Sequence, residues 1–182
     1  SVSENNWLGK GIRLNTALNV SEEKISGNIF VNNPNYNYSG NSVFASLDVS
    51  STDAKESSGY ESSNTGFAFG TEFEQYENFY LAPSISVNLE DIEVEAGASD
   101  SVKKMDGTFT NVDFAYSIVV DKRNQTFQPT EGYRTKFLQS IPIVLDSSHL
   151  KNGFEFTNYH DFSEDIIGVF KLYGRSVHGL DD

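Results

Sequence analysis

The sequence has 182 residues, a length typical of one domain, and it contains 37% hydrophobic and 13% aromatic residues. No cysteine is present, which excludes disulfides, thiolate chemistry and cysteine-based zinc sites. The formal net charge of −13 argues against nucleic acid as a partner, because phosphate neutralisation needs clustered Lys and Arg.

The sequence shows neither a membrane-spanning helix nor a signal peptide. No apolar run reaches the length of about 18 residues that a membrane-spanning helix needs. The first ten residues lack the basic and then apolar segments of a signal peptide. We therefore expect either that a leader was removed or that the chain begins inside a longer protein.

Apolar and polar residues alternate along most of the chain, which is the pattern of strands with one apolar face. We predict about nine strands, near residues 12–20, 25–31, 43–49, 67–73, 79–89, 112–120, 133–141, 154–157 and 166–177. The predicted connections lie at residues 21–23, 32–41, 51–64, 74–77, 90–108, 121–134, 145–152 and 161–165. No segment shows a helical period, so the fold class is all-β, an antiparallel up-and-down meander.

Two details qualify the individual strands. Pro83 falls inside the fifth predicted strand, where it removes a ladder hydrogen bond, and so predicts a bulge or a local break. The last strand alternates poorly, because Lys171 and Arg175 share a face with Val169 and Tyr173.

Two architectures fit this pattern: an outer-membrane β-barrel and a soluble β-sandwich. Turns that are mostly compact or carry Pro and Gly are predicted to alternate with longer polar loops, as at the two rims of a barrel, with only residues 21–23 breaking the rule. The predicted strands often reach about ten residues, the length that crosses a membrane when tilted. Their polar faces carry Gly, Ala, Ser and Asn rather than the Lys and Glu of a solvated sheet, which favours the barrel.

Three turn motifs resemble those of the BamA-type outer-membrane assembly factors, the bacterial surface antigen family. The first motif comprises Asn6, Trp7, Leu8, Gly9, Lys10 and Gly11. The second comprises Asn33, Pro34 and Tyr36. The third comprises Asp121, Arg123, Phe127, Pro129, Thr130, Gly132 and Arg134. Each motif alone is a weak signal, but their order and approximate spacing agree with the family across essentially the whole chain.

The resemblance implies that residues 1–182 are an incomplete, open part of a sixteen-stranded transmembrane barrel, from about its second to its eleventh strand. The family's periplasmic POTRA domains, its last strands and its sixth-loop motif are not in the sequence. The implied activity is the folding and insertion of β-barrel proteins into the bacterial outer membrane, without enzyme chemistry or a cofactor. The implied partners are outer-membrane lipid, unfolded β-barrel clients, accessory lipoproteins, and the parent protein's own POTRA domains and missing strands.

The alternatives, in order, are a two-partner-secretion or other translocation pore of the same superfamily, a passive porin and a soluble β-sandwich adhesion module. The number of upstream POTRA domains would help to separate the first of these. The resemblance places the three turn motifs at the periplasmic side. There Trp7 and Tyr36 suit the membrane interface, and Asp121, Arg123 and Arg134 suit an ion-pair network that closes their turn.

Other residue groups favour structure over chemistry. His149, His160 and His178 lack a spacing suited to a metal, and His160 beside Asp161 is more typical of a polar turn than of an acid–base pair. Asp146, Ser147 and His149 have the residue types of a catalytic triad, but adjacency is not triad geometry. The acids at residues 90–106 lack a calcium-loop pattern. We therefore predict no catalytic, cofactor or metal site.

Overall fold

The computed structural model describes residues 1–144, 149–163 and 165–180, and within them ten antiparallel strands form one sheet in strictly sequential order. The strands are β1 (Val2–Trp7), β2 (Ile12–Val20), β3 (Lys24–Asn33), β4 (Ser42–Ala54), β5 (Tyr60–Tyr76), β6 (Phe79–Val94), β7 (Gly107–Asp121), β8 (Gly132–Val144), β9 (His149–Ser163) and β10 (Ile166–Gly179). The predicted all-β meander is confirmed. Because the sheet is single and open, the β-sandwich alternative is wrong.

Cross-strand register sorts the side chains onto two faces. One row of paired positions is apolar and crosses five strands at Ile29, Leu47, Phe67, Val87 and Val112. The row beside it is polar or small and crosses the same strands at Asn28, Asp48, Gly66, Asn88 and Asn111. We call these the apolar face and the polar face. Period-2 alternation places them on opposite sides because successive Cβ atoms point in opposite directions.

The apolar face is not covered by any second layer within the described part of the chain. Phe67 is 49% exposed and Leu47 is 40% exposed, although both lie in central strands. The buried hydrophobic side chains among the described residues are only Ala54, Ile92 and Val119. A sheet that leaves large apolar side chains in contact with its surroundings matches the lipid-facing wall of a barrel better than a soluble domain.

The sequence prediction missed β1, so the described strands number ten rather than nine. This segment pairs with β2 from Val2 opposite Thr16 to Trp7 opposite Ile12. It was missed because polar residues occupy most of it, leaving no apolar period to detect. Asn6 and Trp7, predicted as part of a turn, therefore end a strand, and the turn itself is residues 8–11.

Several predicted loops are shorter than expected because the strands continue into them. Residues 51–54 and 60–64 belong to β4 and β5, and residues 90–94 belong to β6. Residues 74–76, predicted as a turn, are the last residues of β5. Residues 149–152 and 161–163, also predicted as connections, are the first and last residues of β9. These extensions are largely polar. Strand pairing continues through them because backbone hydrogen bonds between strands do not require alternating apolar side chains. The predicted segment 145–148 lies outside the described residues.

Connections alternate between two rims of the sheet. The rim that carries residues 8–11, 34–41, 77–78 and 122–131 is called the motif rim, and the other is called the opposite rim. The predicted contrast in length is wrong in part, because residues 55–59 form a short connection at the opposite rim. The short 21–23 connection is the exception that the sequence predicts, and the 122–131 connection is long but carries Pro129.

Two single-turn helices, α1 (Lys55–Ser58) and α2 (Asp100–Lys103), lie in opposite-rim loops. No described helix is both long and apolar enough to cross a membrane.

Pro83 interrupts the ladder between β5 and β6 locally, as predicted, but it does not end β6 or shift its register. On one side it pairs with Tyr116 of β7 without a register shift. On the other side the β5 ladder is interrupted after Gly70 opposite Ser84 and resumes at Phe73 opposite Leu81 with an unchanged offset. Paired neighbours on both sides keep the strand continuous at the proline, which therefore costs local hydrogen bonding but not register.

Candidate functional site: the connection between β7 and β8

The 122–131 connection is closed by backbone hydrogen bonds that continue the β7–β8 ladder beyond its last pair, Asp121 opposite Arg134. The Lys122 amide donates to the Tyr133 carbonyl at 2.8 Å, and the Asn124 amide donates to the Glu131 carbonyl at 3.1 Å. These bonds bring the two ends of the connection together and leave its tip projecting from the motif rim.

Gly132 is required by this closure. Its φ is +93°, a conformation that L side chains rarely adopt. A Cβ atom at this position would lie 2.9 Å from the Arg123 Cα and closer still to the Lys122 carbonyl oxygen. Both atoms belong to backbone that is already hydrogen-bonded, so neither can move aside cheaply. The glycine therefore allows the chain to return close to its own path.

An ion-pair cluster lies beside the glycine. The Arg123 guanidinium donates to both carboxylate oxygens of Asp121, from Nε at 2.7 Å and from Nη2 at 2.6 Å. The Arg123 backbone amide donates to the same carboxylate at 3.3 Å. Arg134 approaches from the facing strand, with its Nε 3.8 Å from Asp121 Oδ2. A bidentate pair of this kind fixes side-chain orientation as well as charge.

Partial burial strengthens this cluster, since the side chains of Arg123 and Asp121 are only 15% and 23% exposed. Hydrogen bonds to Asp121 raise the pKa of the Arg123 guanidinium above its ordinary value, against the opposing effect of burial, and Tyr159 adds a smaller contribution in the same direction. A guanidinium is charged at any ordinary pH, so the pair is a permanent link between the turn and β7.

Asn124 organises the tip, a role that sequence reasoning missed. Its side-chain amide donates to Thr130 Oγ1 at 2.7 Å, while its Oδ1 accepts from the Thr130 and Glu131 amides at 3.2 and 3.4 Å. Gln125 adds a bond from Nε2 to the Gln128 carbonyl at 2.7 Å. An Asn in a polar connection is a weak signal, because its partners lie six and seven residues further along the chain.

Phe127 and Pro129 lie near the end of this tip. The Phe127 side chain is 79% exposed, and the adjacent Gln128 has a positive φ of 48°. The tip therefore presents an aromatic ring on a hydrogen-bonded turn rather than burying it.

The 8–11 turn uses the same kind of asparagine closure. The Gly11 amide donates to Asn6 Oδ1 at 2.7 Å, and the Gly9 amide donates to the Asn6 carbonyl at 2.9 Å. Leu8, Gly9 and Gly11 have φ values of 57°, 68° and 68°. Two of the three left-handed positions are glycine, which explains the Gly-x-Gly spacing in physical terms.

The 34–41 connection begins at Pro34, directly after Asn33 at the end of β3, and is closed in a similar way. Asn33 Oδ1 accepts from the Asn35 amide at 3.1 Å, and the Tyr36 amide donates to the Asn41 carbonyl at 2.8 Å. Tyr36 is 55% exposed at this rim, and Trp7 is 39% exposed at the end of β1. All three predicted motifs therefore lie on one rim, each closed locally within its own connection.

The described residues contain no group of three or more metal-binding side chains. His160 packs edge-on against Phe162 with ring centroids 4.9 Å apart. In the acidic loop, Asp106 Oδ1 accepts a hydrogen bond from the Val94 amide at 3.0 Å, a structural role. Asp146 and Ser147, which have the residue types of a catalytic triad, lie outside the described residues.

The single sequential sheet, with its three motif turns on one rim, has the architecture of part of a transmembrane β-barrel. The model of the Omp85 superfamily domain matches residues 6–180, and the chain belongs to the Omp85 superfamily. Among solved structures, the chain is similar to BamA from Haemophilus ducreyi lacking POTRA domains 1–3, at 14% sequence identity and a TM-score of 0.71. The match covers 98% of this chain and 37% of that one. No match was found among curated proteins.

Proposed function

We propose that residues 1–182 form part of the barrel of an outer-membrane assembly factor that folds β-barrel proteins and inserts them into the bacterial outer membrane. The observation that carries the proposal is the superfamily match over residues 6–180. On this proposal the segment corresponds to about the second to the eleventh strand of the complete barrel. The motif rim faces the periplasm, the apolar face contacts lipid and the polar face lines the lumen.

The free edges of the sheet support an origin in a larger barrel. The order from β1 to β10 leaves one side of each terminal strand without a described neighbour, and β10 alone has 14 residues. Each unpaired backbone group costs several kcal/mol in hydrocarbon. The total for two edges exceeds the stability of about 5–15 kcal/mol that a typical domain has. Further strands of the parent protein would satisfy these groups.

The mechanism requires no bond-making chemistry. A barrel that opens at its seam presents a strand edge, and main-chain hydrogen bonds on that edge template an incoming client strand. The client therefore exchanges unpaired backbone groups for paired ones as it enters the membrane. In this proposal the seam strands lie in the rest of the parent protein, and the described strands hold the barrel wall in shape. The protein is not an enzyme, and its partners are lipid, unfolded clients, accessory lipoproteins and its own POTRA domains.

A reconstitution experiment tests the proposal. The full-length protein encoded by the reading frame that contains this chain is placed in lipid vesicles, and a urea-denatured outer-membrane barrel protein is added as client. Folding of the client is followed by its altered gel mobility without heating. We expect faster folding than in empty vesicles. No acceleration, combined with export of a soluble client across the vesicle membrane, would instead identify a translocation pore, and ion conductance alone would identify a porin.

A further inference from the structure

Charge is segregated on the polar face. Strands β8 to β10 carry five cationic side chains there, which we call the basic wall: Arg134, Lys136, Lys151, Lys171 and Arg175. Their acidic companions on the same face of these strands are Glu155 and Asp161. Strands β2 to β7 show the opposite balance on this face, with Asp48, Glu72, Glu74, Glu90, Asp113 and Asp121 against Arg13 and Lys24.

Register arranges the basic wall in four successive rows across the three strands. From the motif rim these rows are Arg134–Thr157–Lys171, Lys136–Glu155–Tyr173, Leu138–Gly153–Arg175 and Ser140–Lys151–Val177. Since residues two apart on a strand are separated by about 7 Å, the wall extends over about 20 Å along the strands. Only the second row places a cation, Lys136, directly opposite an acid, Glu155. In the other three rows, the residues opposite the cations within β8 to β10 are uncharged.

Most of these charges have no ion-pair partner among the described residues. Among the ion pairs within the described residues, Arg134 reaches Asp121 at 3.8 Å, while the other four cations of the wall form none. Lys151, Lys171 and Arg175 are exposed. Two concavities of about 490 and 670 Å³ lie along the wall and share Glu155 and Tyr173 in their linings. Tyr173, 79% exposed, stands between Lys171 and Arg175 on β10.

We propose that the basic wall docks an extended, acidic polypeptide segment inside the barrel. The inference rests on the proposed function, because that assignment makes the polar face a lumen. Charge complementarity selects an anionic partner even though the chain as a whole is strongly acidic. The geometry selects a peptide over a small anion, since a small anion needs donors that converge to about 3 Å, whereas these cations are spread along the wall.

An extended segment matches the spacing of the wall. Its alternate side chains point to one side and repeat at about 7 Å, the separation between neighbouring rows of the wall. Acidic residues at alternate positions therefore meet Lys171 and Arg175 on β10, with Lys136 and Lys151 reached from the adjacent strands. The exposed Tyr173 ring offers apolar contact between the two β10 cations. The acidic strands β2 to β7 repel the same segment and so confine it to the basic wall.

The test uses the full-length protein in detergent and a fluorescently labelled peptide of alternating Glu and Ser, with binding followed by fluorescence anisotropy. We expect binding that weakens as salt is raised. The variant Lys136→Gln/Lys171→Gln/Arg175→Gln should weaken the Kd by roughly tenfold or more. The matched control Lys10→Gln/Arg13→Gln/Lys24→Gln removes the same total charge elsewhere and should change the Kd by less than about twofold. Altered gel mobility without heating verifies that both variants are folded.

Several results would overturn the inference. Equal binding of a Lys–Ser peptide removes the charge selectivity on which it rests. An equal loss in the control variant attributes the binding to net charge rather than to the wall. Displacement of the labelled peptide by inorganic pyrophosphate as readily as by unlabelled peptide identifies a small-anion site instead. Client insertion without peptide binding contradicts this inference alone, whereas peptide binding without client insertion contradicts the proposed function alone.

Discussion

At the residue scale, a few positions in and beside the 122–131 connection are constrained by their own local geometry. Gly132 combines a left-handed backbone with a close approach to facing backbone. Asp121 and Arg123 form a bidentate pair two residues apart. These constraints are independent, since one is steric and the other is electrostatic, so substitutions should separate them.

We expect Gly132→Ala to lower the free energy of unfolding by about 1–3 kcal/mol, because the added Cβ meets backbone and the φ is unfavourable for alanine. Guanidinium unfolding of the full-length protein in detergent measures the change. The matched control is Gly174→Ala in β10, where an added Cβ would have no heavy atom within 4 Å. Equal effects of the two substitutions would show that the closure at Gly132 is not constraining.

We expect Arg123→Gln to lower the free energy of unfolding by about 1–3 kcal/mol, because it leaves the partly buried Asp121 without its strongest partner. Arg123→Lys should recover little of the loss, since an ammonium group cannot make the bidentate contact. The control is the neighbouring residue Lys122, which is exposed. Lys122→Gln should change the free energy of unfolding by less than about 0.5 kcal/mol. If Arg123→Lys retained full stability in the same unfolding experiment, charge attraction alone would explain the pair and the bidentate hydrogen bonds would contribute nothing.

At the element scale, the three motif-rim connections that carry the predicted motifs share one structural solution. In each of them an asparagine side chain accepts hydrogen bonds from backbone amides of its own turn, as Asn6, Asn33 and Asn124 show. An amide side chain suits this task because its carbonyl mimics a backbone acceptor. The strands leaving each turn are thereby held at a defined separation, which helps to set the register of the pair.

We expect Asn124→Ala to loosen the tip of the 122–131 connection without unfolding the sheet. The Thr130 and Glu131 amides lose their acceptor, so their hydrogen exchange should accelerate severalfold or more, while amides of the central β7 strand stay protected. Phe127→Ala is the control, because it alters the same tip without removing a hydrogen bond to either amide. Unchanged exchange at both amides would contradict the role assigned to Asn124.

At the scale of the whole molecule, the two faces of the sheet belong to different environments. Ile29, Leu47 and Phe67 of the apolar row are 40–49% exposed in a ten-stranded sheet, while the neighbouring polar row consists of Gly66, three Asn residues and Asp48. In the proposed barrel the apolar row meets hydrocarbon. The strands extend past the apolar zone at the opposite rim because backbone pairing there does not depend on contact with lipid.

We expect Phe67→Arg to destabilise the full-length barrel in lipid vesicles by about 2–4 kcal/mol, the range for a cation near the bilayer midplane. Ala68→Arg is the matched control on the opposite face, where its cross-strand neighbours Ser46 and Ser86 are small. Its effect should be clearly smaller, because the charge stays in water. Equal destabilisation in reversible unfolding would contradict the assignment of the two faces.

The sequence by itself determined the fold class and which residues share a face. Alternation identifies a strand locally, because each side chain's direction depends only on its position along the strand. The motif residues Gly9, Pro34 and Gly132 were likewise visible, since unusual backbone geometry favours particular residue types. Strand β1 and the polar extensions of β4 to β6 were not visible, because no apolar period marks them.

Only the tertiary structure decided which residues from distant parts of the chain lie next to each other. The contacts of Asn124 with Thr130 and Glu131, the continuity of β6 at Pro83, and the basic wall all depend on partners distant along the chain. Lys136 and Lys171 belong to one surface because the registers of β8, β9 and β10 align them in adjacent rows. Register arises from pairing across the whole sheet, and a shift of one residue would send every one of these side chains to the other face.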